Sequence, residues 1–303
     1  MDEVRQAIVV GAGPAGMAAA IYLQRAGLAP LLLEMGEPGG LLREANMVEN
    51  YPGFPGGIRG ADMAALMVKQ ARDVGVTIAR ERAETIGVRK GKFVVKTDRK
   101  ERTSRTLIVA TGTRPRTIRL KGLSALVGKR LFYGINSIPG KGLRGSLVLV
   151  VGGGDAAFDY GLNLRGKGYK VTILTRSEPR CLPLLQARAR QAVIDVRTGF
   201  VPTSVSECKG RVVLSGSHDR KPVELIGDYI LVACGREPNL ELLRDSGLGI
   251  STAREGPPMT NVPGLFLVGD AVRESCRQTG IAVGDGILAA MLAERYIKGG
   301  KRE

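Results

Sequence analysis

Residues 7–34 read AIVVGAGPAGMAAAIYLQRAGLAPLLLE, and the fold class follows from this stretch. A short apolar run at 8–10 leads straight into Gly11, Gly13 and Gly16, a G-x-G-x-x-G spacing with Pro14 and Ala15 inside it. An Ala-rich helix-forming segment continues from Pro14 to about Ala26, and Gly27 closes it. A second apolar strand at 31–33 then delivers Glu34. Strand, glycine turn, helix, second strand and terminal acid are the parts of a βαβ dinucleotide site. Gly11 permits the tight turn, Gly13 lets backbone approach a pyrophosphate, and Gly16 lets helix and strand pack closely. The pyrophosphate belongs at the helix N-terminus, where unpaired N–H groups and the helix dipole favour negative charge. Glu34 is placed to accept hydrogen bonds from ribose hydroxyls.

The unit occurs twice. Residues 150–175, VVGGGDAAFDYGLNLRGKGYKVTILT, overlay the first at a constant offset of 141 without a gap. Gly11 falls on Gly152, Gly13 on Gly154, Gly27 on Gly168 and Glu34 on Thr175. Two such units imply two dinucleotides. The first ends in a carboxylate, which suits free ribose hydroxyls, as in FAD or NAD. The second ends in Thr175-Arg176 with Arg180 close behind, which removes a repulsive charge and supplies cations for a 2′-phosphate. NADP(H) is therefore favoured there over NAD(H). The plainer account of Arg176 and Arg180 is two solvated cations on a basic protein.

The chain has 303 residues, enough for two domains with their own cores. No secretory signal is expected, because the first strand begins almost at once, and no apolar run reaches membrane-spanning length. Four cysteines (Cys181, Cys208, Cys234, Cys276) lie too far apart for a C-x-x-C pair or a zinc cluster, which fits a reducing, cytoplasmic setting. His218 is the only histidine, so histidine-based triads and metal sites are close to excluded. Lys and Arg number 45 against 29 acids, a formal net charge of +16. Such an excess speeds encounters with acidic partners. No nucleic-acid-binding motif accompanies it, so a specific nucleic-acid function is not expected.

Residues 36–60 are rich in Gly and Pro and read as a long ordered loop. A helix is expected over 61–74, then short strands at 76–79, 93–97 and 105–110, with a hairpin turn at Gly91. Residues 113–116 look like a linker, and 236–239 like a second one. Between them lie core strands at 147–151, 170–174 and 229–233. A last strand at 265–268 precedes Gly269-Asp270 and a helix beginning near Ala282. Two crossings mean that the second domain is inserted into the first. The expected class is α/β: two Rossmann-like (three-layer ββα) dinucleotide-binding domains, 114–238 inserted between 1–113 and 239–303.

GAGPAG (11–16), Gly39-Gly40, VENYPGFP (48–55), ATG (110–112), GGGDAA (152–157), GREPN (235–239), GD (269–270) and RQTGIAVGDG (277–286) span nearly the whole chain. Together they resemble the low-molecular-weight thioredoxin reductases, FAD- and NADPH-dependent flavoproteins among the class II pyridine nucleotide-disulfide oxidoreductases. The resemblance implies FAD in the first and last segments, NADPH in the inserted domain, and a homodimer. It implies FAD contacts at Gly11, Gly13, Gly16, Glu34, Asn50, Thr111, Asp270, Arg277 and Gln278. Pro14, Ala15, Gly40, Leu41, Gly112 and Gly269 flank them in the matching motifs. On the NADPH side it implies Gly152, Gly154, Asp155, Arg176 and Arg180. Independently, Asp270 after a strand suits ribityl hydroxyls, and the helix N-terminus beyond Gln278 would stabilise negative charge on a reduced flavin. Tyr51, Phe54 and Tyr133 are candidates to stack on a ring or simply to pack in loops and core.

One departure governs function. Disulfide reductases of this kind carry C-A-T-C-D-G upstream of the second glycine loop. The gapless match here is Ile135-Asn136-Ser137-Ile138-Pro139-Gly140. Ile135 and Ile138 occupy the cysteine positions, and Pro139 that of the acid. Disulfide exchange needs an attacking thiolate and a resolving thiol, and isoleucine supplies neither. The nucleotide motif departs too: against H-R-R-x-x-x-R stands Thr175-Arg176-Ser177-Glu178-Pro179-Arg180. The expected activity is an FAD-dependent NAD(P)H oxidoreductase passing electrons from flavin directly to an acceptor. Ferredoxin or flavodoxin is the first choice, because ferredoxin–NADP reductases of the thioredoxin-reductase-like type resemble this layout and lack the cysteine pair. The alternatives are an NAD(P)H oxidase, or a flavin-binding homologue with little turnover that acts as a binding or partner protein.

Overall fold

The computed structural model describes residues 4–139, 145–251 and 258–299. The chain divides into two compact units, one of residues 1–43, 48–114 and 237–303, the other of residues 44–47 and 115–236. The crossings fall within two residues of those expected. Residues 44–47 group with the second unit, which the sequence did not suggest.

The first unit opens with β1 (Arg5–Val10), α1 (Pro14–Arg25) and β2 (Leu31–Glu34). It continues with α2 (Gly60–Asp73), β3 (Thr77–Arg80), β4 (Ala83–Arg89), β5 (Lys92–Thr97) and β6 (Glu101–Val109). β3, β2, β1 and β6 pair in parallel in that order. The nine residues of β6 then serve two partners on its other edge. Glu101–Ser104 pair antiparallel with β5, which in turn pairs with β4, and Leu107–Val109 pair in parallel with a C-terminal strand, Leu265–Leu267. The sequence expected only one arm of the β4–β5 hairpin. β4 was missed because among Glu84, Thr85 and Arg89 its apolar alternation is only Ile86 and Val88, and Val88 is exposed.

The linkers are β7 (Thr113–Pro115) and, after the insert, Arg236–Pro238, which pair with each other in a two-stranded sheet. The insert contains α3 (Leu123–Leu126), β8 (Leu131–Phe132), β9 (Leu147–Val151), α4 (Asp155–Gly166), β10 (Lys170–Leu174), α5 (Pro183–Gln191) and β11 (Asp195–Arg197). β12 (Phe200–Cys208), β13 (Arg211–His218), β14 (Lys221–Gly227) and β15 (Tyr229–Val232) complete it. A parallel sheet in the order β11-β10-β9-β15-β8 carries α4 and α5 against one apolar cluster. The antiparallel meander β12-β13-β14 closes a second cluster that includes Leu149, Val151 and Val232. The second unit is thus layered helix, parallel sheet, antiparallel sheet.

After β16, the returning linker, come α6 (Glu241–Arg244), β17 (Leu265–Leu267) and α7 (Thr279–Ile297). α7 lies along α1 through small side chains: Ala15, Ala19, Ala289, Ala290 and Ala293 share one cluster with Leu23 and Leu32. Each fully buried leucine here is worth about 1.5–3 kcal/mol. The alanines contribute by letting two helix backbones come close. A Cβ on Gly286 would run into the Ala15 carbonyl, so only glycine fits at that contact. α7 starts at Thr279, three residues ahead of the expected start, which makes Gln278 its N-cap.

Candidate functional site

In the first unit, β1 ends at Val10 and Gly11 turns the chain with φ +100. A Cβ on Gly11 would strike the carbonyl of Ala110 at the end of β6, so the turn requires glycine for space as well as for conformation. The second unit repeats the arrangement: a Cβ on Gly152 would strike the Ala233 carbonyl beyond β15. Gly11 N–H donates to Leu33 O at 2.8 Å and Gly152 N–H to Leu174 O at 3.0 Å, tying each turn to its second strand. The duplication read in the sequence is therefore a duplication of geometry. The units part at the third glycine. Gly16 lies against the Gly11 carbonyl, while its counterpart Ala157 is accommodated and fully buried.

Gly13 and Gly154 face open space, with nothing within 4 Å of where a Cβ would stand. Each is the N-cap of the helix that follows, and neither cap is filled by a side chain. The first N–H groups of α1 and α4 therefore face outward at the mouth of each loop, the donor set that a pyrophosphate needs. Pro14 holds the first helical position of α1. The Glu34 carboxylate is fixed beside the loop, accepting from Ala12 N–H and Gly36 N–H, both at 2.8 Å. Gly39 N–H donates to Ala12 O at 2.8 Å, and a Cβ on Gly40 would lie 3.0 Å from Gly13 Cα. That packs Gly39 and Gly40 onto the glycine turn, with the half-buried Leu41 next in the chain.

The C-terminal segment of the same unit returns to this point. Gly269, with φ +68, would set a Cβ 2.9 Å from the Ala15 Cβ, which brings the turn holding Asp270 against the start of α1. Asn50 Nδ2 donates to Gln278 Oε1 at 2.8 Å, joining the long loop to the α7 N-cap across 228 residues. Arg277 Nε donates to the Arg273 carbonyl at 2.8 Å. Thr111 behaves differently from the others. Its hydroxyl donates to Asn239 O at 2.7 Å and Gly112 O accepts from Asn239 N–H at 2.9 Å, so this pair also ties the returning chain to the end of β6. Tyr51 and Phe54 lie against each other, ring centroids 6.2 Å apart, and Tyr133 packs into the core of the second unit.

At the second loop, Asp155 Oδ1 accepts from Leu182 N–H at 2.8 Å, and Arg180 N–H donates to Gly153 O at 2.8 Å. These bonds fold residues 175–182 beside the glycine turn. Thr175 is buried and donates its hydroxyl to Ser177 O at 2.6 Å, whereas the side chains of Arg176, Glu178 and Arg180 are exposed. Asp155 thus holds the loop beside the glycine turn through one of its two carboxylate oxygens.

The turn at Ile135–Ser137 puts both isoleucines inward. Ile135 is 2 % exposed and Ile138 6 %, packed with Phe132, Phe158 and Leu231, while Asn136 and Ser137 face solvent. Gly140 lies outside the described residues. All four cysteines are free, and burial pushes the Cys181 and Cys234 thiols up, away from the thiolate. Among the described residues no cluster of three or more His, Cys, Asp or Glu could hold a metal ion, and no helix is long and apolar enough to cross a membrane.

Two features escaped sequence reading. Arg273 and Asp285 form a two-point ion pair, Nη2–Oδ1 2.6 Å and Nε–Oδ2 3.1 Å, with Asp285 7 % exposed. An aspartate on the buried face of an otherwise apolar helix was the available signal. In the second unit Tyr160 donates to Glu44 Oε2 at 2.9 Å and Asp159 Oδ2 accepts from Asn46 N–H at 2.8 Å. Burial pushes the Glu44 carboxyl up and raises Asp159 to about 6. Nothing in the local sequence signals those partners, which are more than a hundred residues away.

The Pyridine nucleotide-disulphide oxidoreductase family model matches residues 5–286. The chain belongs to this family. It is 32% identical to thioredoxin reductase of Bacillus subtilis (strain 168), covering 98% of this chain and 96% of that protein. It is 33% identical to NADPH-dependent thioredoxin reductase 3 of Arabidopsis thaliana over 98% of this chain, which spans 59% of that protein's length. The crystal structure of Lactococcus lactis thioredoxin reductase superposes with a TM-score of 0.85 at 30% identity, covering 97% of this chain and 99% of that one. The thioredoxin reductase-like branch of the family uses FAD and NADPH, and the two open glycine cradles with their outward N–H groups fit those dinucleotides. The protein is an FAD-dependent NAD(P)H oxidoreductase of this branch. Isoleucines, Ile135 and Ile138, stand at the two positions where the sequence resemblance places a redox cysteine pair.

Proposed function

We propose that this oxidoreductase passes electrons from its flavin directly to a one-electron carrier protein of the ferredoxin or flavodoxin kind. The observation that carries this reading is the burial of Ile135 and Ile138 in the turn aligned with the C-x-x-C motif. No thiol stands at either position, so a disulfide relay has no first acceptor there. FAD supplies the conversion between a two-electron hydride transfer and single-electron steps. The balance is one NADPH and two oxidised carriers giving NADP⁺, one proton and two reduced carriers.

The chain's own groups bind and orient. The α1 N-terminus and Glu34 hold the adenosine diphosphate half of FAD. Asn50, Asp270, Arg277 and the Gln278 cap serve the flavin half, and the N–H groups at the start of α7 stabilise negative charge developing there. Arg176 and Arg180 favour NADPH over NADH through the 2′-phosphate. The +16 charge speeds encounter with an acidic carrier and makes the rate fall with salt. A homodimer is supported by the apolar residues that α7 leaves exposed, Ile281, Ile287, Leu288 and Met291. Four free cysteines support a reducing, cytoplasmic setting.

The test is anaerobic reduction of the flavin by NADPH, followed by equal additions of ferredoxin, flavodoxin, oxygen, a quinone and thioredoxin disulfide. Ferredoxin or flavodoxin should reoxidise the flavin fastest. Fast reoxidation by oxygen alone means an NAD(P)H oxidase. Failure of NADPH and NADH to bleach the flavin means a flavin-binding protein with little turnover. Brisk turnover of thioredoxin disulfide overturns the reading.

A further inference from the structure

We propose that the buried Arg273–Asp285 ion pair is a positioning device for the flavin end of the FAD site. This inference rests on the FAD reading above. Seven residues, 272–278, run from the turn of Asp270 to the first residue of α7 without regular structure. Such a segment has no ladder of backbone bonds to fix it, yet it ends in Arg277 and Gln278.

Side chains fix it instead. Arg273 reaches forward to Asp285, almost two turns into α7, with both guanidinium bonds in place at 2.6 and 3.1 Å. The Arg277 guanidinium reaches back to the Arg273 carbonyl at 2.8 Å. Gln278 is held from the other side by Asn50 at 2.8 Å. The carboxylate is deeply buried, and the helix that carries it cannot shift, because Gly286 lies directly against the Ala15 backbone. α1, the helix that follows the ADP-binding loop, thereby serves as the fixed reference for the flavin-binding segment. The chain of contacts runs from α1 through Gly286 to Asp285, then Arg273, then Arg277.

A fork-shaped guanidinium on a carboxylate fixes direction as well as distance, so Lys does not replace Arg273. An uncompensated buried charge destabilises the fold, while replacing both members by apolar residues usually does not. The informative variant is therefore the double substitution Arg273→Leu, Asp285→Leu, beside the single Arg273→Lys. The full-length chain, stripped of flavin, is titrated with FAD and separately with ADP. In both variants FAD should bind about tenfold more weakly, as loss of a partner behind a ligating group commonly gives. ADP affinity should stay unchanged, because the α1 loop and Glu34 are untouched. The midpoint potential of bound flavin should become more negative, since reduced flavin loses its aligned donors.

A purely structural ion pair gives another pattern. If the double variant binds FAD as the unaltered chain does, or loses FAD and ADP affinity together, the proposal is overturned. If the unaltered chain itself fails to bind FAD, the reading of the site has failed, and that outcome is seen before any variant is made.

Discussion

Asn50 Nδ2 lies 2.8 Å from Gln278 Oε1, a hydrogen bond between the Gly/Pro-rich loop and the cap of the last helix. Both side chains are exposed, so the bond adds little to folding. Its value lies in holding the Gln278 amide in one orientation ahead of the α7 N-terminus. Asn50→Ala should weaken FAD binding about fivefold. Unfolding free energy should change by less than about 0.5 kcal/mol. Fluorescence titration and urea denaturation separate the two quantities.

The isoleucine turn makes a sharper case. Restoring the motif by Ile135→Cys and Ile138→Cys places two sulfurs in the packed cluster of Phe132, Phe158 and Leu231. The double variant should lose about 1–3 kcal/mol of stability through lost methyl groups. It should show no NADPH consumption with thioredoxin disulfide, because neither position reaches solvent. A gain of that activity would mean the turn opens to expose both residues.

Arg176 and Arg180 stand exposed beside the second glycine loop with Glu178 between them. Arg176→Ala with Arg180→Ala should raise KM for NADPH roughly tenfold and leave KM for NADH alone. Glu178→Gln should move KM for NADPH the other way. Equal effects on the two nucleotides would show that the arginines do not meet the 2′-phosphate.

The glycine turns, the duplication at an offset of 141 and both domain crossings were legible because each is a local requirement carried by a short stretch of sequence. Gly11 and Gly152 announce a carbonyl overhead, whatever the rest of the chain does. The strands β4 and β12 to β14 were not legible, since they face solvent on one side and their apolar alternation is as short as Ile86 and Val88, Val212 and Leu214, or Val223 and Leu225, among Glu84, Arg211, Lys221 and Glu224. Nor was the Arg273–Asp285 pair, because a turn of undefined geometry separates its members. The bond from Leu182 N–H to Asp155 was not legible for a similar reason: it depends on a partner that only the fold supplies.

Two glycines of α7, two positions apart, should respond with opposite signs. Gly286 meets the Ala15 backbone, which cannot swing away as a flexible side chain would. Gly286→Ala should cost about 1–3 kcal/mol. Gly284 meets nothing within 4 Å, and Gly284→Ala should add up to about 1 kcal/mol by relieving the helix of a flexible residue. Urea midpoints of the two variants check both signs at once.

Asp159 gives the pH dependence a direction. Burial raises its carboxyl to about 6, with Asp155 adding repulsion and Arg188 and the N–H groups of Asn46 and Met47 opposing it. Between the ordinary aspartate value and 6, the folded protein keeps a proton that the unfolded chain has released. Stability from this group is therefore complete below about pH 4 and falls as pH rises, by at most about 1.4 kcal/mol per unit, until about pH 6. Glu44, also raised by burial, acts in the same direction, while Glu81, lowered by its bond to Arg102, acts in the opposite one. Asp159→Asn keeps a carbonyl acceptor for Asn46 N–H and removes the titration. The difference in urea midpoint between the two proteins cancels the other groups, so it should favour the variant increasingly from about pH 4 to 6 and then level off. A difference that stays flat over that range would mean the Asp159 carboxylate is as well solvated folded as unfolded.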